Sequence, residues 1–167
     1  MPEHNKISMA RPNWDDYFME MAHVAKKRSS CLTRQVGAVL VKDNHVIATG
    51  YNGTPSKTKH CNEGGCERCK NKMDGKISSG SDLSNCACCH AEENAIVQAA
   101  VHGASTKETT LYTTFSPCTL CAKMIINAQI KRVVAGASYP DDLGTKLLKE
   151  ASVQLNLFKS TEIQKIG

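Results

Sequence analysis

Two short segments of this 167-residue chain carry side chains that can hold and use a metal ion. His90-Ala91-Glu92 ends a cysteine-rich run, and Pro117-Cys118-Thr119-Leu120-Cys121 follows further on. Cys118 and Cys121 stand at i and i+3, so at a helix start both sulfurs lie on one face and reach one ion. Pro117 suits a place just before or at the first helical residue. The positive end of a helix dipole favours the thiolates that zinc requires. His90 supplies a third ligand from another helix. Three protein ligands leave zinc's fourth position to water, as in a catalytic site, and water held there ionises near pH 7 (about). Glu92 is the wrong type to complete a soft ligand set and the right type to move protons. Either segment alone is a weak signal; the pair is specific.

The elements that must position these groups can be read from periodicity. Asn13 can cap a first helix, with Asp16 as a short-armed relative of the capping-box residue. Trp14, Phe18, Met21, Ala22 and Ala25 give it one apolar stripe through about Arg28. Residues 36–41, VGAVLV, read as a strand, Asp43-Asn44 as a two-residue hairpin, and VIAT as its partner. GYNGTP (50–55) is a loop by its glycines and proline. A helix from about Ala91 to His102 stops at Gly103. Strand TLYTT (110–114), a helix over 119–128, strand RVVAGA, a helix over 141–150 and a strand near 152–158 complete the order α-β-β-α-β-α-β-α-β. A starting hairpin followed by alternating helices and strands argues an α/β fold, a three-layer α/β/α sandwich with a mixed sheet.

Length and composition argue one domain over 1–167, with 1–12 a loose lead-in and 57–89 a Cys-rich insertion. The 41% hydrophobic and 22% charged content is that of an ordinary globular chain. Neither an apolar run long enough to span a membrane nor a secretion signal in the first dozen residues is expected, which points to the cytoplasm, or to host cytoplasm if the source is viral. A net charge of +5 is a mild lean toward anions and carries no basic block that would mark a nucleic-acid arm.

Nine cysteines are the unusual feature. A disulfide framework belongs to short secreted chains, whereas clustered cysteines in a reducing compartment more often bind metal. Residues 57–85 have almost no apolar periodicity and could not bury a core alone, so metal would give them a reason to fold. Six cysteines stand apart from the catalytic pair and from Cys89: Cys31, Cys61, Cys66, Cys69, Cys86 and Cys88. Cys89, directly against His90, reads as a buried apolar residue. Reduced core cysteine is the other reading for the remainder.

The H-x-E…P-C-x-x-C pattern is that of zinc-dependent deaminases. Over about Trp14 to Phe158 the chain resembles the deoxycytidylate (dCMP) deaminase family of the cytidine-deaminase-like superfamily. The likeness rests on RSSCLTRQVGAVLVKDNHVIATGYNGTP, HAEENAIVQAA, LYTTFSPCTLCAKMIINAQIKRVV, SYPDD and the spacing HCNEGGCERC before CACCHAEENA. The resemblance implies a mixed five-stranded sheet flanked by helices and hydrolysis of dCMP to dUMP and ammonia, supplying dUMP for dTMP synthesis. It places the catalytic Zn2+ on His90, Cys118 and Cys121, and the proton shuttle on Glu92. Asn52, Ala91 and Tyr139 fall at substrate-binding positions. Gly50, Tyr51, Asn52 and Gly53 match a segment near the family's regulatory site, where dCTP with Mg2+ activates and dTTP inhibits. The family self-associates, often as a homohexamer. Relatives place a structural-zinc ligand two residues before the catalytic histidine, which favours Cys88. Cys31 and Cys61 match further ligand positions, and Cys69 is added as the fourth, with Cys66 and Cys86 as alternates. Val101 departs from the pattern, since relatives often carry a basic residue there.

Other readings remain within the same chemistry: a deaminase of dCTP, of cytidine or of tRNA adenosine, the last needing a more basic surface. From a different class, an inactive zinc-binding interaction module would lack the glutamate of H-x-E, and Glu92 is present.

Overall fold

The computed structural model describes residues 11–137 and 141–159. Most of the lead-in 1–12 and Tyr139 lie outside them. The described elements are α1 (Trp14–Lys26), β1 (Gly37–Lys42), β2 (His45–Tyr51), α2 (Glu67–Met73), α3 (Ala91–Val101), β3 (Thr110–Thr113), α4 (Thr119–Asn127), β4 (Arg132–Ala135), α5 (Asp142–Glu150) and β5 (Gln154–Leu157). The five strands form one mixed sheet in the order β2-β1-β3-β4-β5. β1 is antiparallel to both β2 and β3, whereas β3, β4 and β5 run parallel.

The strand alternation sorts the core into two layers. Ala38 and Leu40 of β1 face α3, α4 and α5 together with Leu111, Val133, Ala95, Ile125 and Leu148. Val39 and Val41 face the other way and pack with Tyr112, Val134 and the Phe18, Met19 and Ala22 side chains of α1. The three-layer α/β/α sandwich follows, since a strand covered on both faces reads as the continuous apolar run VGAVLV. Among the described residues no helix is long and apolar enough to cross a membrane.

Local chemistry explains the boundaries. Asn13 caps α1 by accepting from the Asp16 N–H at 2.9 Å, and its amide donates to the Asp16 carboxylate at 2.7 Å. The buried face of α1 is turned from the expected stripe: Met19 is buried, and Trp14 remains 48% exposed while stacking on Phe18. Asp43 and Asn44 take φ of 49° and 61°, the paired left-handed residues of a type I′ hairpin turn. β2 runs on to Tyr51, opposite Gly37, so Gly50 and Tyr51 belong to a strand rather than to the expected loop. A Cβ on Gly50 would overlap the Ala91 carbonyl and the Ala95 N–H, and one on Gly37 would overlap the Ala22 carbonyl. These two glycines let α3 and α1 close onto opposite faces of the sheet. The insertion is not featureless: α2 was not expected from its polar sequence, ERCKNKM.

Candidate active site

The two chemical segments meet at adjacent helix starts. His90 is the N-cap of α3 and Cys118 the N-cap of α4, so Pro117 precedes the cap and does not occupy the first helical position. The His90 N–H donates to the Glu93 carboxylate at 3.1 Å, one arm of a capping box. Across the sheet end, Asp141 accepts from the Thr119 N–H and hydroxyl, both at 2.6 Å, and caps α5 through the Gly144 N–H at 2.8 Å. One carboxylate thereby ties the start of α4 to the start of α5.

His90 Nδ1 lies 3.3 Å from the Cys118 sulfur and 3.3 Å from the Cys121 sulfur. Tetrahedral zinc, with bonds of about 2.0 Å to nitrogen and 2.3 Å to sulfur, separates such ligands by about 3.5 Å. The three residues therefore fit one zinc ion through Nδ1 and two thiolates. Their proton affinities are already linked. The Cys118 thiol is held down to about 4, first by the hydrogen bond donated from Cys121, and the Cys121 thiol is raised as that donor. Hydrogen bonding to Cys118 pushes His90 up to about 9. The low thiol value comes first from its sulfur neighbour and then from the His90 side chain.

Glu92 is one residue inside α3 and 4% exposed. Burial pushes its carboxyl up from the usual range. Oε2 lies 3.7 Å from the Cys121 sulfur, and Oε1 accepts from the Thr113 hydroxyl at 3.1 Å. The same hydroxyl lies 3.0 Å from the Phe115 carbonyl. An ionised Glu92 receives the single Thr113 proton. A protonated Glu92 can instead donate to the Thr113 oxygen while Thr113 donates to Phe115. Both protonation states are satisfied without movement, which suits a group that must gain and lose a proton.

Asn52, 9% exposed, is largely occupied within the fold. Its Oδ1 accepts from Ser29 Oγ at 2.7 Å and from the Val36 N–H at 2.7 Å, and its Nδ2 donates to the Arg34 carbonyl at 2.7 Å. Among the described residues, only one of its two amide hydrogens is engaged. Ala91 is fully buried at the first position of α3. Gly53 pairs with Cys89 in an isolated antiparallel bridge, through bonds of 3.2 and 2.8 Å. Cys89 is half-buried rather than buried, and its thiol belongs to none of the ligand-like groups. Sequence reasoning missed Thr113, Ser29 and Asp141 as site residues. Each is an ordinary polar residue whose role appears only once strands and helices converge.

Of the other six cysteines, Cys31, Cys61, Cys69 and Cys88 have sulfurs within 4.8 Å of one another. Cys66, Cys69, Cys86 and Cys88 meet the same limit.

Residues 12–137 match the family model described as the cytidine and deoxycytidylate deaminase zinc-binding region. The chain is 48% identical over 149 residues to a deoxycytidylate deaminase of Schizosaccharomyces pombe, covering 89% of this chain and 45% of that protein. It is 41% identical over 165 residues to a deoxycytidylate deaminase of Saccharomyces cerevisiae, covering 98% of this chain and 51% of that protein. The chain thus spans about half the length of these two curated relatives. A crystal structure of dCMP deaminase from the cyanophage S-TIM5, in complex with dCMP and dUMP, superposes with a TM-score of 0.72 at 30% identity, covering 89% of this chain and 99% of that one.

Proposed function

Because this chain belongs to the cytidine and deoxycytidylate deaminase family, we propose that it hydrolyses dCMP to dUMP and ammonia. The observation that carries the reading is the meeting of His90, Cys118 and Cys121 beside a buried Glu92 whose carboxyl is braced by Thr113. Zinc bound by His90, Cys118 and Cys121 would act as a Lewis acid that makes water nucleophilic near neutral pH. Glu92 Oε2 faces the metal ligands; it would take a proton from the attacking water and give it to the ring nitrogen as the C4–O bond forms. It would then take the C4 hydroxyl proton and give it to the amino group as the C4–N bond breaks, leaving the carbonyl of dUMP and releasing ammonia. Thr113 keeps Oε1 fixed through those transfers. Ala91, at the start of α3, and the remaining amide hydrogen of Asn52 orient the nucleotide; the family likeness also gives a nucleotide contact to Tyr139, which lies outside the described residues.

Several finer assignments rest on the family likeness. A dCTP–Mg2+ activator and a dTTP inhibitor would act near Gly50, Tyr51, Asn52 and Gly53. Gly50 faces the α3 backbone and Gly53 is buried and paired with Cys89, so contact would come through the exposed Tyr51. Self-association, as a homohexamer, and a place in the cytoplasm, supplying dUMP for dTMP synthesis, complete the reading. A structural zinc would sit on Cys31, Cys61, Cys69 and Cys88, whose sulfurs form one ligand-sized group.

Assay of dCMP, dCTP and cytidine, each with and without dTTP, tests the proposal. Loss of cytosine absorbance with dCMP, and far less with cytidine, is the expected result. Preference for cytidine or dCTP would change the substrate, and indifference to dTTP and dCTP would remove the regulation.

A further inference from the structure

We infer that the cysteine-rich insertion is organised by two metal ions in one six-thiolate cluster, with Cys69 and Cys88 bridging them. This goes beyond the deaminase reading and does not depend on it. Two four-sulfur groups meet the same distance limit, Cys31/Cys61/Cys69/Cys88 and Cys66/Cys69/Cys86/Cys88, and they share Cys69 and Cys88. Two tetrahedra with a common edge have this composition: two bridging thiolates and two terminal thiolates on each ion.

The distances fit. Sulfur atoms around one tetrahedral zinc, at about 2.3 Å from it, lie about 3.8 Å apart. Cys31–Cys69, Cys66–Cys86 and Cys69–Cys86 are separated by 3.9, 3.9 and 4.0 Å. The first of these edges belongs to one group and the other two to its neighbour. A single metal on the first group would leave Cys66, with no exposed surface, as an unused buried thiol 3.9 Å from Cys86. A disulfide would need the two sulfurs at about 2.05 Å.

The surroundings agree. Cys31, Cys61, Cys66 and Cys69 form a buried cluster, with Cys86 and Cys88 against it and no aliphatic side chain in it. Apolar packing therefore supplies little reason for residues 61–88 to hold their shape. Six thiolates around two dications leave two negative charges, carried mostly by the terminal sulfurs. Backbone N–H groups point at two of those: Leu32 donates to Cys61 at 3.5 Å and Ala87 to Cys66 at 3.3 Å. Thr33 Oγ1 stands 3.5 Å from a third, Cys31.

The cluster would also brace the active site from both sides. Cys88 is two residues before His90. The Cys31 N–H donates to Ser29 Oγ at 3.2 Å, and Ser29 holds Asn52.

The test is metal analysis of the purified, reduced, zinc-replete protein. The expected content is three zincs per chain, two in the six-cysteine cluster and one at His90/Cys118/Cys121. Cys66→Ser should lose one of them, and Cys118→Ser should leave the cluster's two. Cadmium substitution should give two mutually coupled 113Cd resonances of all-sulfur coordination, a readout that needs no cluster variant to fold. Two zincs per chain, with Cys66→Ser and Cys86→Ser leaving metal content unchanged, would overturn the second ion. So would a single uncoupled all-sulfur cadmium resonance, or a Cys66–Cys86 disulfide in the protein as isolated. Loss of dCMP turnover with three zincs retained would contradict the proposed activity and leave the cluster standing.

Discussion

Thr113→Val keeps the β-branched shape, fully buried in β3, and removes the hydroxyl that braces Glu92. The hydrogen bond is 3.1 Å long and inside the fold, where a bond to an ionised group contributes about 1.5–3 kcal/mol. Its loss falls more heavily on the carboxylate form, where the bond is charge-assisted and which burial already disfavours, than on the protonated form, which only donates to the same hydroxyl oxygen. The carboxyl should therefore rise further, so that the form able to accept a proton is scarcer at a given pH. A cost near the lower end of that range corresponds to roughly a tenfold fall in kcat/KM for dCMP near neutral pH. The acidic limb of the pH–kcat/KM profile should move to higher pH, while zinc content and melting temperature change little. Thr113→Ser, which restores the hydroxyl, should recover most of the rate and the limb position. A purely structural role for Thr113 would lower stability without moving the limb. An unmoved limb together with a wild-type rate would refute the brace.

Gly50→Ala places a methyl against the α3 backbone at Ala91 and Ala95 and should destabilise the fold by about 1–3 kcal/mol, read as a lower melting temperature. Asp15 accepts from Tyr112 at 2.8 Å and from Arg132 at 2.9 and 2.6 Å, and the Arg132 bond, foremost, holds its carboxyl below the usual value. A depressed folded value gives stabilisation that is complete above about pH 4 and lost as pH falls through that folded value. Asp15→Asn should therefore cost about 1 kcal/mol at pH 7, allowing for partial exposure, and the gap from wild type should close in acid denaturation. A gap that stays constant into acid would contradict this sign. Ser29→Ala removes one of the bonds that orient Asn52 and should raise KM for dCMP about 3- to 10-fold with kcat nearly unchanged.

The meeting of His90, Glu92, Cys118 and Cys121 was legible because the residues stand in two local motifs, each at a helix start where neighbours in sequence are neighbours in space. The hairpin was equally local, since Asp43 and Asn44 accept positive φ. Thr113, Ser29 and Asp141 were not, because nothing in a single threonine, serine or aspartate says which helix end will arrive beside it. The extent of β2 depends on pairing with Gly37, so the turn-like letters GYNG hid two strand residues. α2 has no apolar stripe to read; its place is set by the Cys69 sulfur and by the buried Arg68, which donates to the Ser81 carbonyl at 3.1 Å. Spacing named all six clustered cysteines and could not reveal that two four-sulfur groups share Cys69 and Cys88. That sharing exists only in three dimensions.

The most direct test of the central claim compares the wild type with Glu92→Gln on dCMP, with ammonia, dUMP and bound zinc measured in the same samples. Glutamine keeps the size of Glu92 and cannot carry the proton. The expected result is one ammonia for each dUMP from the wild type, and turnover at least about 10²-fold lower in Glu92→Gln with bound zinc unchanged. Near-normal turnover by Glu92→Gln, or no dUMP from zinc-replete wild type, would contradict it.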